Sequence, residues 1–185
     1  MAMAKVIGKG KFLKLVREGT WEFVERVNAR GVVAIVALTP DRRILLTEQF
    51  RAAVGRSVID LPAGLAGDVA GQEDEAFATS ALRELIEETG YTAKRVDHLA
   101  DCPTSPGLTS EIASFFIARD LRQVSTGGGV EGENIVVHCP TIRGIEKWLA
   151  NRVAEGKLID GKVYAGLHFS RRRTSSPRPG RRDQK

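Results

Sequence analysis

Residues Gly31 to Leu38 (GVVAIVAL) form an unbroken, largely β-branched apolar run, the pattern of a strand covered on both faces. Pro40-Asp41 turns the chain, and Ile44 to Phe50 (ILLTEQF) returns as a second strand. Val58-Ile59-Asp60 is a short strand leading into Leu61-Pro62-Ala63-Gly64. Upstream, Lys11 to Arg17 and Trp21 to Val27 flank Glu18-Gly19-Thr20, which predicts a hairpin. Two strands alone are marginal in water, so this hairpin needs a partner surface. Further strands are expected over Ala93 to Ala100, Ile112 to Ala118 and Asn134 to Cys139. Pro103 to Glu111 reads as a loop, and Gln123 to Gly132, with three consecutive glycines, as mobile or at least permissive.

The period changes from two to 3.6 in Glu75 to Tyr91 (EAFATSALRELIEETGY). Ala78, Leu82, Leu85 and Thr89 share one stripe there, predicting a helix with that face on the core. Gly90 stops it in the left-handed conformation. Two more helices are expected, Ile142 to Ala154 and Lys162 to Phe169. Helices among clustered strands point to an α/β fold with a mixed sheet covered on its faces.

Glu84, Glu87 and Glu88 fall on the other side of the central helix, close together and at its C-terminal end. Like charges a turn apart repel, and the macrodipole disfavours anions at that end. The triplet is either a solvated acidic face or a site for a hard divalent cation, which takes oxygen ligands and neutralises the cluster.

Composition changes the picture in one respect. The 185 residues are 42% hydrophobic and 28% charged, an ordinary soluble composition for one domain. No apolar run is long enough to span a membrane, and Met-Ala-Met-Ala-Lys lacks a signal peptide's apolar core. The net charge of +5 suggests a nucleic-acid partner until it is located. Of 28 basic and 23 acidic residues, seven and one lie in residues 171–185, leaving 21 and 22 for the body. The body is nearly neutral. RRRTSSPRPGRRDQK is expected to be a disordered basic tail, and nucleic acid enters only through it. Cys102 and Cys139 fit neither a disulfide framework nor metal-ligand spacing, so a reducing cytoplasm is expected. His98, His138 and His168 are scattered and read as structural.

The order Glu75, seven residues, Arg83-Glu84-Leu85, one residue, Glu87-Glu88, one residue, Gly90-Tyr91 resembles the Nudix box. That family comprises hydrolases of nucleoside diphosphates linked to another group. Its leading glycine would fall at Val69; Gly64, with five extra loop residues, is the equivalent expected here. The resemblance implies an α/β/α sandwich over residues 29–170 and Mg²⁺ or Mn²⁺ held by Glu84, Glu87, Glu88 and the Ala63 carbonyl. Arg83 would orient the carboxylates.

Leu61-Pro62-Ala63-Gly64, Ser105-Pro106-Gly107 and Glu48-Gln49-Phe50-Arg51 resemble the ADP-ribose pyrophosphatase branch. The hairpin of residues 1–28, with Trp21, Glu22 and Arg26, is similar to one exchanged between two subunits in that branch, which implies a homodimer. There the aromatic helps sandwich the base, and arginines such as Arg26 and Arg51 reach the phosphates. Glu131 is the expected general base, Glu133 a supporting metal ligand and Glu111 the alternative base. The implied substrate is ADP-ribose or another nucleoside diphosphate sugar; an RNA-directed role through the tail is the alternative.

Overall fold

The computed structural model describes residues 3–71, 73–130 and 132–171. The buried run predicted at residues 31–38 is the axis of the fold. It forms β4 (Gly31–Ala37), which pairs antiparallel with β7 (Ala63–Ala66) on one side and parallel with β9 (Ile112–Gln123) on the other. β8 (Tyr91–Pro103) closes the order β7-β4-β9-β8, so this central sheet is mixed, as expected. Alternation along β4 divides the core. Val33, Ile35 and Ala37 join Phe116, Ala118, Ala81 and Leu85 under helix α1 (Phe77–Thr89). Val32, Ala34 and Val36 join Phe115 and Ile117 on the opposite face, toward a second sheet and the two other helices.

That second sheet, in the order β10-β5-β6-β11, is built on the hairpin of β5 (Leu46–Arg51) and β6 (Arg56–Asp60). β10 (Val136–His138) pairs antiparallel with β5, and β11 (Leu158–Ile159) parallel with β6. A 3₁₀ turn over Ile142–Gly144 runs into α2 (Ile145–Ala154), and α3 (Gly161–Ser170) follows β11. α3 lies tight on the core: a Cβ at Gly166 would come within 2.9 Å of Leu61. No helix among the described residues is long and apolar enough to cross a membrane.

Two expectations change here. The N-terminal hairpin, β2 (Leu13–Glu18) and β3 (Trp21–Arg26), carries a third strand, β1 (Lys5–Lys9), antiparallel to β2. β1 escapes the sequence pattern because all five of its residues are exposed and none marks a core face. The buried stripe of α1 is also rotated from the expected one: Ser80, Ala81, Glu84, Leu85, Glu88 and Thr89 are buried, Ala78 is exposed and Leu82 half-buried. Apolar periodicity places the glutamates off the core-facing stripe. β7 instead offers their carboxylates an amide and a gap, and the helix turns them inward.

Candidate active site

α1 is preceded by Ala76, which supplies no side-chain cap, and followed by Gly90 in the left-handed conformation. Its last carbonyls are met by the glycine-rich loop: Gly128 N–H donates to the Glu88 carbonyl at 2.8 Å and Gly129 N–H to that of Glu87 at 3.0 Å. Gly127 approaches so closely that a Cβ would stand 2.4 Å from the Thr89 carbonyl carbon. The three glycines therefore act as a backbone cap for α1, which is a narrower role than mobility. Glu133 stabilises the same turn, its carboxylate accepting Val130 N–H at 2.9 Å, while Gln49 donates to its carbonyl at 3.0 Å.

Glu88 points to β7, where Ala63 N–H donates to its Oε2 at 2.9 Å. Glu84 lies against Gly64, whose missing side chain makes the room; a Cβ there would fall 2.0 Å from the Glu84 Cδ. Arg83 is the local hub. Its guanidinium bonds Glu84 at 2.8 Å, Glu87 at 3.3 Å and the Leu65 carbonyl at 3.0 Å, with Asp68 at 3.4 Å and Glu75 at 3.7 Å. Glu75 is half-buried and accepts from the Ser80 hydroxyl at 2.7 Å.

Burial pushes the Glu84 carboxyl up to about 7; Arg83 opposes this and Glu87 adds to it. Glu88 is pushed up to about 8, again by burial; the Ala63 amide opposes, and the charges of Glu84, Asp60 and Glu133 add. No lysine or arginine is paired with Glu88 among the described residues. Glu88 has no cationic partner among the described residues and Glu84 shares Arg83 with Glu87; hard oxygen donors of this kind fit Mg²⁺ or Mn²⁺. The expected set is not gathered into a cage, however. Among the described residues no group of three His, Cys, Asp or Glu is arranged to hold a metal ion. The Arg83 guanidinium stands between Glu84 and Glu87, which separates the triplet.

The cleft in front of the pair has a volume of about 750 Å³ and is lined by Arg26, Arg51, Ala63, Glu84, Glu88, Glu111 and Glu133, among others. Gln49 and Arg51, two apart on β5, both line it. A NUDIX domain profile matches residues 28–162, which is most of the chain. The chain belongs to the NUDIX family. It is 41% identical over 97 residues to an ADP-ribose pyrophosphatase of Bacillus subtilis, covering 52% of this chain and 50% of that one. It is 33% identical over 112 residues to a methanol dehydrogenase activator of Bacillus methanolicus, covering 60% and 58%. The chain thus spans about half the length of these two relatives. An ADP-ribose pyrophosphatase of Mycobacterium tuberculosis is 32% identical over 160 residues, with 84% of this chain and 73% of that one covered. A solved structure described as an ADP compounds hydrolase superposes with a TM-score of 0.67 over 91% of this chain and 90% of its own, at 17% identity, and so shares the fold.

Within the NUDIX box, Gly64 and Glu84 are in the intimate contact described above despite the five extra residues before Glu75. Glu87 is more exposed than its neighbours and faces Arg83. Arg26 reaches the cleft from β3, but its Nε is held by the Glu111 carboxylate at 2.5 Å. Trp21 and Glu22 do not line the cleft of their own chain: Trp21 is 65% exposed, and Glu22 pairs with Arg17. They sit near the start of β3, roughly 15 Å of extended strand from Arg26 at its end. Glu131 and tail residues 172–185 lie outside the described residues. His138 joins Glu48, which also binds Lys157, and His98 pairs with Asp101, so neither is at the cleft. The sequence reading missed Asp60 and Lys162, both on the cleft wall. Asp60 ends a strand, where an acidic residue resembles any turn, and Lys162 opens a helix 102 positions later.

Proposed function

We propose that this protein hydrolyses the diphosphate of ADP-ribose or a related nucleoside diphosphate sugar, releasing a nucleoside monophosphate and a sugar phosphate. The observation that carries this reading is the buried Glu84–Glu88 pair, pushed toward neutral pH and facing a cleft that also holds Arg26 and Arg51. Anionic oxygens at the head of the cleft and guanidinium groups along it suit a cation and a diphosphate bound together. Glu84 and Glu88, with Glu87, Glu133 and the Ala63 carbonyl in support, would hold Mg²⁺ or Mn²⁺. Such an ion supplies charge neutralisation at the phosphates and makes water a better nucleophile.

The chain's own groups do the rest. Arg51 and Arg26 would fix the phosphate oxygens by paired N–H bonds. Arg83 holds Glu84 and Glu87 in place. A carboxylate must take the proton of the attacking water as the bridging P–O bond breaks, and we assign this to Glu131. Glu111, the other candidate, already accepts from Arg26, which suits it to positioning that arginine. A homodimer remains part of this reading. The N-terminal sheet leaves Phe12, Leu13 and Trp21 exposed, and it meets the body chiefly where Val24 N–H bonds the Leu108 carbonyl at 2.9 Å and Arg26 meets Glu111. Pairing of two such sheets would carry Trp21 toward a neighbour's cleft. Cys102 and Cys139 are free, in keeping with a reducing, cytoplasmic setting.

A second substrate has specific support, because the chain is 34% identical over 146 residues to a GDP-mannose pyrophosphatase of Salmonella arizonae, covering 76% of this chain and 74% of that one. Purified full-length protein assayed on ADP-ribose, GDP-mannose and capped RNA, with Mg²⁺ and with EDTA, tests the reading. Cation-dependent release of AMP and ribose phosphate, with a higher kcat/KM than for the other two, is expected. Turnover of capped RNA alone would transfer the function to the tail's chemistry.

A further inference from the structure

On the wall of the cleft, an ion pair between a half-buried lysine and a buried carboxylate ties the C-terminal helix to the end of β6. Lys162, in the first turn of α3, lines both the 750 Å³ cleft and an adjoining hollow of about 490 Å³. Its Nζ stands 3.0 Å from Asp60 Oδ2 and 2.9 Å from Asp160 Oδ1. Asp60 is 6% exposed, and its other oxygen accepts Leu61 N–H at 2.8 Å. The next residue, Pro62, accepts Ile35 N–H of β4 at 2.8 Å, and Ala63 then donates its N–H to Glu88 at 2.9 Å. The path from Lys162 to Glu88 is therefore continuous: ammonium, buried carboxylate, a turn of three residues fixed at both ends, and the amide that orients the glutamate.

We infer that Lys162 is a positioning residue for Glu88, acting through Asp60 and the Leu61–Ala63 turn. Burial raises the Asp60 carboxyl, and the Lys162 charge opposes that. Without the ammonium, Asp60 either takes a proton or turns toward water. Protonation weakens the bond to the Leu61 amide and turning outward breaks it, so either outcome loosens the turn that sets the Ala63 amide. Helix α3 has a second hold that does not involve this side chain, Gly166 against Leu61, whereas its cap, Asp160 Oδ1 accepting Lys162 N–H at 2.8 Å, shares that oxygen with the Lys162 ammonium. Loss of the Lys162 side chain therefore leaves the packing of α3 at Gly166 in place and acts on Asp60 and the turn that follows it.

The sign of the effect separates this role from plain electrostatics. Lys162 is a cation beside a proposed cation site, so its charge alone disfavours a metal ion; deleting a bystander lysine would tighten binding. Deleting a positioning lysine weakens it, by roughly 10–100-fold, the usual effect of losing a group that orients a metal ligand. The inference rests on the cation site proposed above, and its test uses Mn²⁺, whose free fraction is read by electron paramagnetic resonance with no substrate present. Lys162→Met is expected to bind Mn²⁺ about 10–100-fold more weakly than wild type, while Lys162→Arg, which keeps the charge, retains most of the affinity. In an Asp60→Ala background, adding Lys162→Met is expected to change nothing further, because the path is already cut. This double variant also leaves no buried unpaired charge, so it carries the comparison if Lys162→Met folds poorly. Lys162→Met binding as tightly as wild type or tighter, or additive losses in the double variant, would overturn the inference. Absence of Mn²⁺ binding by wild type would instead overturn the cation site itself.

Discussion

Glu88 and Glu84 are acidic residues on the buried face of a helix, and one glycine makes their position possible. With nothing at Gly64 but hydrogen, the Glu84 carboxylate rests on the backbone of β7, and Ala63 beside it supplies the amide for Glu88. Burial then raises both carboxyls above their ordinary value of 4.5, to about 7 and about 8. Between pH 4.5 and 8 the folded, metal-free protein holds protons that the unfolded chain has released. The stability these two groups contribute is full below about pH 4.5 and is lost as pH rises through 7 and 8. Mg²⁺ competes with those protons, so its stabilising effect should grow over the same range. Melting temperatures with EDTA and with saturating Mg²⁺ at pH 6 and pH 8.5 check this. The rise on adding Mg²⁺ should be larger at pH 8.5, and equal rises at both would mean that the ion does not bind these carboxyls.

At the scale of elements, the cap on α1 shows how a loop and a helix share responsibility for the site. Gly127 has φ +66° and no room for a Cβ, while Gly156 has φ +84° with open space around it. Gly156→Ala should cost only the left-handed conformation, roughly 1–2 kcal/mol. Gly127→Ala should cost more, because it also forces the loop off the end of α1; denaturant titration of both variants gives the comparison. The existence of α1, its stop at Gly90, β4 buried on both faces and the hairpin around Gly19 were all legible from residue order, since periodicity and turn chemistry are local. The orientation of α1 was not. Glutamate at positions 84 and 88 reads as solvent-facing until the amide of Ala63 and the gap at Gly64 are placed opposite, and those come from a strand twenty residues earlier. β1 was illegible for a different reason: exposed on every residue, it has no buried face to leave a period in the sequence. The Asp60–Lys162 pair was likewise invisible, because only the parallel pairing of β11 with β6 brings the two together.

Across the whole molecule, independent parts of the fold converge on the end of α1. β7 brings Ala63 and Gly64 to its carboxylates, the loop of residues 127–129 caps its last turn, and β5 and β3 carry Arg51 and Arg26 to the same cleft. α3 reaches it through Lys162. In the sequence the excess positive charge falls in residues 171–185, and the rest of the chain, which forms the cleft, is nearly neutral. Glu88 is the group on which these contacts meet, and replacing it by the isosteric amide tests the account most directly. Glu88→Gln, measured on ADP-ribose at saturating Mg²⁺, should keep the wild-type fold and lose about 100-fold or more in kcat, beyond the roughly 10–100-fold typical of residues that merely orient a metal ligand. Turnover close to wild type in a folded Glu88→Gln protein would contradict the assignment of the Glu84–Glu88 pair as the catalytic centre.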